Sequence, residues 1–244
     1  MNARRLLLDA GNTRLKWAVV EDGQWQAQGS AHYSDLSALT RVLERQVACY
    51  VASVARAQHE AQIAALLAPR SISPTWLSAE AQFADVINTY ANPQQLGVDR
   101  WMGLIAARQR SQTATLVVSV GTAMTVDALS PEGQFLGGLI VPGVSMMQRA
   151  LQQGTAQVAE VMGSVQTFPR TTADAVQSGV IAALCGAIQR QYTQLAEAAG
   201  MQPRCLLTGG DAECLLPFLD LSVEQVPALV LEGMERVTRE SESK

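Results

Sequence analysis

Apolar and polar positions follow the same order twice along the 244-residue chain. Leu6 to Leu8 form an apolar run closed by Asp9-Ala10-Gly11. A second run, Trp17 to Val20, leads to the turn Asp22-Gly23 and then to Gln24-Trp25. The pattern returns at an offset of 110 residues, with Leu116 to Val118 facing Leu6 to Leu8. Gly121 falls on Gly11, Ala128 on Ala18, Gly133 on Gly23, Gln134 on Gln24 and Phe135 on Trp25. Apolar runs of strand length between glycine turns predict two antiparallel strands and the start of a third in each copy. Glycine at the first turn lets backbone N–H groups converge on an anion, and two such turns can grip a polyphosphate from both sides.

Between the copies, Ser34 is placed to cap a helix running to about Val47, with Leu36, Leu39, Val42 and Leu43 at helical spacing. A strand over Cys49 to Val54, a helix over His59 to Leu67 and a strand over Pro74 to Leu77 continue an α/β alternation. The polar stretch Asn88 to Gly97 contains Pro93 and reads as an exposed loop. It marks the boundary between an N-terminal lobe, residues 1–96, and a C-terminal lobe, residues 97–244.

The second lobe begins with a helix over Val98 to Arg110. Strands over Ala114 to Val120, Met124 to Leu129 and Gln134 to Ile140 follow, ended by Pro142-Gly143. From Thr171, an apolar stripe through Val176, Val180, Ile181, Leu184, Ile188, Tyr192 and Leu195 predicts a long helix stopped by Gly200. It can cover the second sheet or serve as a subunit interface. A strand over Arg204 to Thr208 and a helix over Pro227 to Arg239 close the chain. Two duplicated sheet-and-helix lobes with a glycine turn near the start of each describe the acetate-kinase, sugar-kinase, Hsp70 and actin architecture. By analogy at fold level, nucleotide is expected in the cleft between the lobes.

Composition narrows the function classes. With 48% apolar residues and a net charge of −4, the chain has a core but no basic stripe, which disfavours an obligatory nucleic-acid partner. The apolar runs are too short for a signal peptide or a membrane helix, so no membrane partner and a cytoplasmic location are expected. Cys49, Cys185, Cys205 and Cys214 form no CxxC pair and have no histidine at metal-ligand spacing, and read as buried free thiols. His32 and His59 receive no role.

Two constellations carry chemistry. In Asp9-Ala10-Gly11-Asn12-Thr13-Arg14-Leu15-Lys16 a carboxylate at a strand end precedes small and hydroxyl residues. Asp9 can hold Mg²⁺ through water, because Mg²⁺ keeps several waters and takes one or two carboxylates plus substrate phosphates. Lys16 is the only lysine before the terminal Lys244. In Gly97-Val98-Asp99-Arg100 a carboxylate lies at the first turn of a predicted helix, where it is either a cap or a site residue.

The segments DAGNTRLK, GVDR, VGTAMTVD, GGLIVPG, TTADAVQSG and LTGGDA occur in this order. Together they closely resemble the type III pantothenate kinase family, which includes the Bvg accessory factor proteins, from about Leu6 to Val237. The resemblance implies ATP-dependent phosphorylation of pantothenate to 4′-phosphopantothenate, the first step of coenzyme A synthesis. It implies that Asp9 to Lys16 and Thr122 bind ATP, and that Asp99 accepts the pantothenate hydroxyl proton. Tyr90, Gly97 to Arg100 and Thr172 match the pantothenate contacts of the family. Arg100 either attracts the pantothenate carboxylate or holds Asp99 ionised.

The family is homodimeric, and the partner subunit completes its pantothenate pocket. One departure stands out: where many members have the Asp of a DxGT motif that helps bind K⁺ or NH₄⁺, this chain has Ser119. A neutral oxygen there puts the monovalent-cation site in doubt. Two other readings stay open, a regulatory accessory protein of the Bvg type and another kinase or phosphatase of the same fold.

Overall fold

The computed structural model describes residues 4–43, 47–154 and 163–242. Residues 44–46 of the first predicted helix and the last two residues of the polar tail fall outside them. The chain forms two compact units, Met1–Arg110 with Ala228–Lys244, and Ser111–Pro227.

In the first unit β1 (Arg5–Ala10), β2 (Arg14–Glu21) and β3 (Gln24–His32) form an antiparallel meander. Helix α1 (Ser37–Val42) leads to β4 (Ala48–Ser53), and α2 (Ala57–Leu67) leads to β5 (Pro74–Trp76). Both later strands run parallel to β1, giving the order β3-β2-β1-β4-β5. Helix α1 is shorter than predicted, and Asp35 rather than Ser34 supplies the acceptor at its start, taking the Ser37 N–H at 3.0 Å. A hairpin of β6 (Gln82–Phe83) and β7 (Val86–Asn88) precedes α3 (Val98–Arg110), whose predicted limits hold.

Side chains alternate across β1. Leu6, Leu8 and Ala10 join Leu15, Trp17, Val19, Cys49 and Val51 under Leu39 of α1 and Ile63 and Leu67 of α2. The alternation turns Arg5, Leu7 and Asp9 to the opposite face.

In the second unit β8 (Thr115–Val120), β9 (Ala123–Leu129) and β10 (Gln134–Pro142) again form an antiparallel meander. Helices α4 (Val144–Gly154) and α5 (Thr172–Ala199) follow. Then β11 (Arg204–Thr208) runs parallel to β8, with β12 (Glu224–Gln225) parallel beside it. The order β10-β9-β8-β11-β12 matches β3-β2-β1-β4-β5 strand for strand, so the duplication read from the sequence is a duplication of topology. Val180, Ile181, Leu184, Ile188 and Leu195 of α5 are buried with the β8 and β9 side chains, so the apolar stripe is used on its own sheet. Helix α5 ends at Gly200 in the left-handed conformation. Cys214 is exposed, unlike the buried Cys49 and Cys205; all four thiols are free.

The constant offset of 110 does not survive in the strand register. Leu8 pairs with Trp17, whereas Val118 pairs with Val126, because the turn after β8 is one residue shorter than the turn after β1. The counterpart of Ala18 is therefore Asp127, not Ala128. A longer connection between β9 and β10 restores the original spacing at Gln134.

The chain then returns to the first unit with α6 (Leu229–Glu242), which packs on α3 and reaches β1, β2 and β4. The units thus divide after Arg110 and after Pro227, not at 96/97 as the polar loop indicated. Ten of the thirteen residues of α3 are buried, among them Trp101, Met102, Leu104 and Ile105. A helix covered on every side belongs to the layer between a sheet and another helix. Arg5 of β1 meets Glu235 of α6 at 3.5 Å with both side chains buried.

Helices α3 and α6 approach closely at Gly233, where a Cβ would lie 1.9 Å from the Met102 carbonyl oxygen. Gly233→Ala is expected to force the helices apart and to destabilise the protein by about 2–4 kcal/mol in urea unfolding.

Candidate functional site

Asp9 ends the buried part of β1 on the α3 side of the sheet, and its cross-strand partner is Lys16. Between them Gly11 N–H donates to Arg14 O at 3.1 Å, closing the turn Gly11-Asn12-Thr13-Arg14. The Asn12 side chain donates to Val54 O at 3.1 Å, and Val54 N–H donates to Ala10 O at 3.0 Å, so the turn is fastened to the end of β4. Ala10 and Leu15 are fully buried, which leaves only their main chains to face a ligand. The Arg14 guanidinium is directed to β3, donating to Ser30 Oγ at 3.3 Å and meeting His32 Nε2 at 2.9 Å.

Asp99 stands in the first turn of α3, half-buried, its Oδ1 accepting the Arg100 N–H at 2.8 Å. Gly97 lies against it: a Cβ there would lie 2.7 Å from Asp99 Oδ1, displacing the carboxylate, and 3.7 Å from Val54 Cγ1. The same residue therefore adjoins both the carboxylate and the strand end that carries the Asn12 turn.

The loop from 88 to 97 is more ordered than its composition indicated. Asn88 is buried and donates to the Glu80 and Pro93 carbonyls at 3.1 and 3.0 Å, while its Oδ1 accepts the Tyr90 N–H at 3.2 Å. Asn92 caps a short 3₁₀ turn over Pro93–Gln95. Tyr90 is thereby held against Arg100, which donates to its hydroxyl at 3.2 Å with the guanidinium carbon 5.9 Å from the ring centre. Stacking of a cation on an aromatic ring fixes the direction of the guanidinium.

The two carboxylates of this site, Asp9 and Asp99, are set among the charges of Lys16 and Arg100. Burial pushes the Asp9 carboxyl up from 3.8 to about 7, the Asp99 charge adds to the rise and Lys16 opposes it. Burial also raises Asp99, against the Arg100 N–H and charge, which favour the ionised form. Lys16 does not offset the burial of Asp9, so holding that carboxyl ionised requires additional positive charge beside it. A divalent cation fits that requirement. Among the described residues no group of three or more His, Cys, Asp or Glu side chains could form an all-protein metal cage. The arrangement suits a cation that shares its coordination with water and phosphate oxygens.

In the second unit, Ser119 occupies the β8 position that Asp9 occupies on β1, paired with Thr125 of β9 and Thr208 of β11. Gly121 N–H donates to Ala123 O at 3.1 Å, and Thr122, exposed at the tip of this tighter turn, accepts the Gly143 N–H on its carbonyl at 2.9 Å. Thr172 is exposed at the start of α5, but the cap is its neighbour: Thr171 Oγ1 accepts the Asp174 N–H at 3.1 Å. Asp9 to Lys16, Tyr90 and Gly97 to Arg100 are therefore collected in the first unit, and Thr122 and Thr172 belong to the second.

Sequence reasoning passed over Tyr33, His59, Glu60 and Ser53, which lie around the first turn. Tyr33 donates to Gly11 O at 2.7 Å and stacks on His59, with ring centres 3.8 Å apart and planes within 6°. Burial pushes the Tyr33 hydroxyl up to about 12, and the charges of Asp9 and Glu60 add to the rise. No motif marked these residues, because their common location depends on β3 and α2 meeting over β1.

Duplicated sheets of this topology, each carrying a glycine turn after its first strand, define the actin-like ATPase fold. Two solved structures have that fold in common with this chain. A putative 2-dehydro-3-deoxygalactonokinase from Sinorhizobium meliloti has a TM-score of 0.62 at 14% identity, over 97% of this chain and 99% of that one. A putative Baf family transcriptional activator from Campylobacter jejuni has a TM-score of 0.60 at 21% identity, over 98% and 100%.

Sequence relationships are more specific. The family model for type III pantothenate kinase matches residues 5–194. A type III pantothenate kinase from Thiobacillus denitrificans is 60% identical over 239 residues, 98% of each chain. The chain belongs to the type III pantothenate kinase family.

Proposed function

We propose that the chain transfers the γ-phosphoryl group of ATP to the primary hydroxyl of pantothenate, giving 4′-phosphopantothenate for coenzyme A synthesis. Family membership supports the activity. The observation that carries the mechanism is the pair of interacting carboxylates, Asp99 at the start of α3 and Asp9 beside the glycine turn.

An alcohol is a poor nucleophile at neutral pH. In our reading Asp99 takes the hydroxyl proton as the oxygen attacks the γ-phosphorus, the bond from that phosphorus to the bridging oxygen breaks, and ADP leaves. A raised carboxyl pKa brings the base closer to working pH and strengthens it. The turn from Gly11 to Arg14, through its open Asn12 N–H, and Lys16 face the ATP phosphates, and Asp9 holds Mg²⁺ through water. When bound, Mg²⁺ supplies charge neutralisation for the transferred group. Arg100, steadied by Tyr90, meets the pantothenate carboxylate. Thr122 as an ATP contact and Thr172 as a pantothenate contact rest on the sequence motifs alone.

We also propose a cytoplasmic homodimer. Among the described residues no helix is long and apolar enough to cross a membrane. Because the apolar stripe of α5 is used on its own sheet, the exposed Leu136 and Ile140 of β10 are better interface candidates.

ADP release from Mg-ATP, with product mass determined, tests the activity. Release is expected only with pantothenate, and release independent of pantothenate would remove the assignment. Run in Na⁺, K⁺ and NH₄⁺ buffers, the same assay tests the Ser119 position. A row of neutral hydroxyls, Thr125, Ser119 and Thr208, has less attraction for a monovalent cation than a carboxylate. Initial rates are therefore expected to agree within about twofold across the three salts, and strong activation by K⁺ or NH₄⁺ would refute the loss of that site.

A further inference from the structure

We propose that Tyr33 is a positioning residue for ATP, fixing the peptide between Gly11 and Asn12 so that the Asn12 N–H is presented to a phosphate oxygen. The proposal rests on the assignment of residues 9–16 to ATP. In a trans peptide the C=O and the following N–H point in opposite directions. A donor that holds the Gly11 carbonyl on one side therefore sets the direction of the Asn12 N–H on the other. Tyr33 is that donor, at 2.7 Å. The Asn12 side chain is occupied by Val54 O, while its backbone N–H has no protein acceptor among the described residues. An amide left open beside a fastened turn is a group available to an anion.

The tyrosine is in turn held by groups unrelated to the turn itself. His59 stacks flat against its ring from α2. The next residue of α2, Glu60, accepts from Ser53 Oγ at 2.6 Å, and Ser53 Oγ accepts the Ala55 N–H at 3.2 Å. Helix α2 is thereby tied to the end of β4, the same strand end that holds Asn12. Both sides of the turn are thus referred to one support, Tyr33 with His59 on one side and Val54 on the other. A glycine has little conformational preference of its own, so a peptide that begins with Gly11 depends on such external bonds for its orientation.

Steady-state kinetics on the full chain test this role. Tyr33→Phe removes the donor and keeps the ring. It is expected to raise KM for Mg-ATP about three- to tenfold, the usual worth of one hydrogen bond, with KM for pantothenate within twofold and the unfolding temperature close to that of the parent. His59→Phe keeps a flat partner and is expected to behave as the parent. His59→Ala loses it and should shift KM for Mg-ATP in the same direction as Tyr33→Phe. Lys16→Met reads the assignment of the turn independently of Tyr33. If Lys16→Met raises KM for Mg-ATP and Tyr33→Phe does not, the positioning role is overturned alone. If neither does, the assignment of residues 9–16 to ATP falls, and the role of Tyr33 with it. Equal changes for both substrates in Tyr33→Phe would mark a general structural effect and would also overturn the proposal.

Discussion

Asp99→Asn is expected to lower kcat by about 10²–10⁴-fold, the range supplied by a positioned general base. KM for Mg-ATP should change by less than about threefold. The substitution removes one titratable oxygen and little volume, and the amide oxygen can still accept the Arg100 N–H that Asp99 Oδ1 accepts at 2.8 Å. The fold should not suffer, because burial disfavours the charge that the substitution removes. An unfolding temperature equal to or above that of the parent, together with lost turnover, is the combination that identifies a base. Unchanged turnover would eliminate Asp99 from that role. Lost turnover with a lowered unfolding temperature and weakened ATP binding would point to a helix-start residue of structural importance.

Much of this site was legible from local patterns. The glycine turns, the limits of α3 and β11 and the stop at Gly200 follow from apolar runs and punctuating residues, which are local properties of the chain. Two classes of feature were not local. The first is ownership of a helix by a sheet. Helices α3 and α6 are separated by the whole second unit, yet they pack on each other and on the first sheet. An amphipathic pattern states that a helix has an apolar face, and not which sheet receives it. Helix α4, which no sequence expectation covered, packs Val144 and Met147 against the second core although none of its residues is fully buried.

The second class is register. Gaps of opposite sign in the two turns cancel over the length of the repeat, so an ungapped comparison aligned Ala18 with Ala128 while the strands pair Ala18 with Leu7 and Asp127 with Val117. In a strand, an error of one residue exchanges the two faces. The correspondence of Asp9 with Ser119 lies before the first gap and is unaffected. Tyr33 belongs to neither class, since its contribution comes from a hydroxyl reaching a carbonyl 22 positions earlier.

Asp9→Asn is expected to separate stability from function. In the protein without nucleotide or metal, burial raises the Asp9 carboxyl from 3.8 to about 7. A folded-state pKa above the unfolded value means that the protonated form favours the fold. That contribution is complete below about pH 4 and is lost as pH rises through about 7. Asparagine is neutral throughout and carries no such loss. Urea unfolding of parent and variant should therefore agree near pH 4 and diverge as pH increases, the variant becoming more stable by about 1–4 kcal/mol at pH 8. Titrations common to both proteins cancel in the difference. Turnover should move the other way, falling sharply and requiring more Mg²⁺, because the charge that destabilises the empty fold is the charge proposed to hold the cation. A stability difference independent of pH would show that Asp9 is ionised at no cost in the folded protein. An Mg²⁺ titration identical to the parent's would remove Asp9 from metal binding. If both expectations hold, the strain at Asp9 in the absence of ligand is the counterpart of its affinity for Mg²⁺, and adding Mg-ATP should stabilise the parent more than the variant.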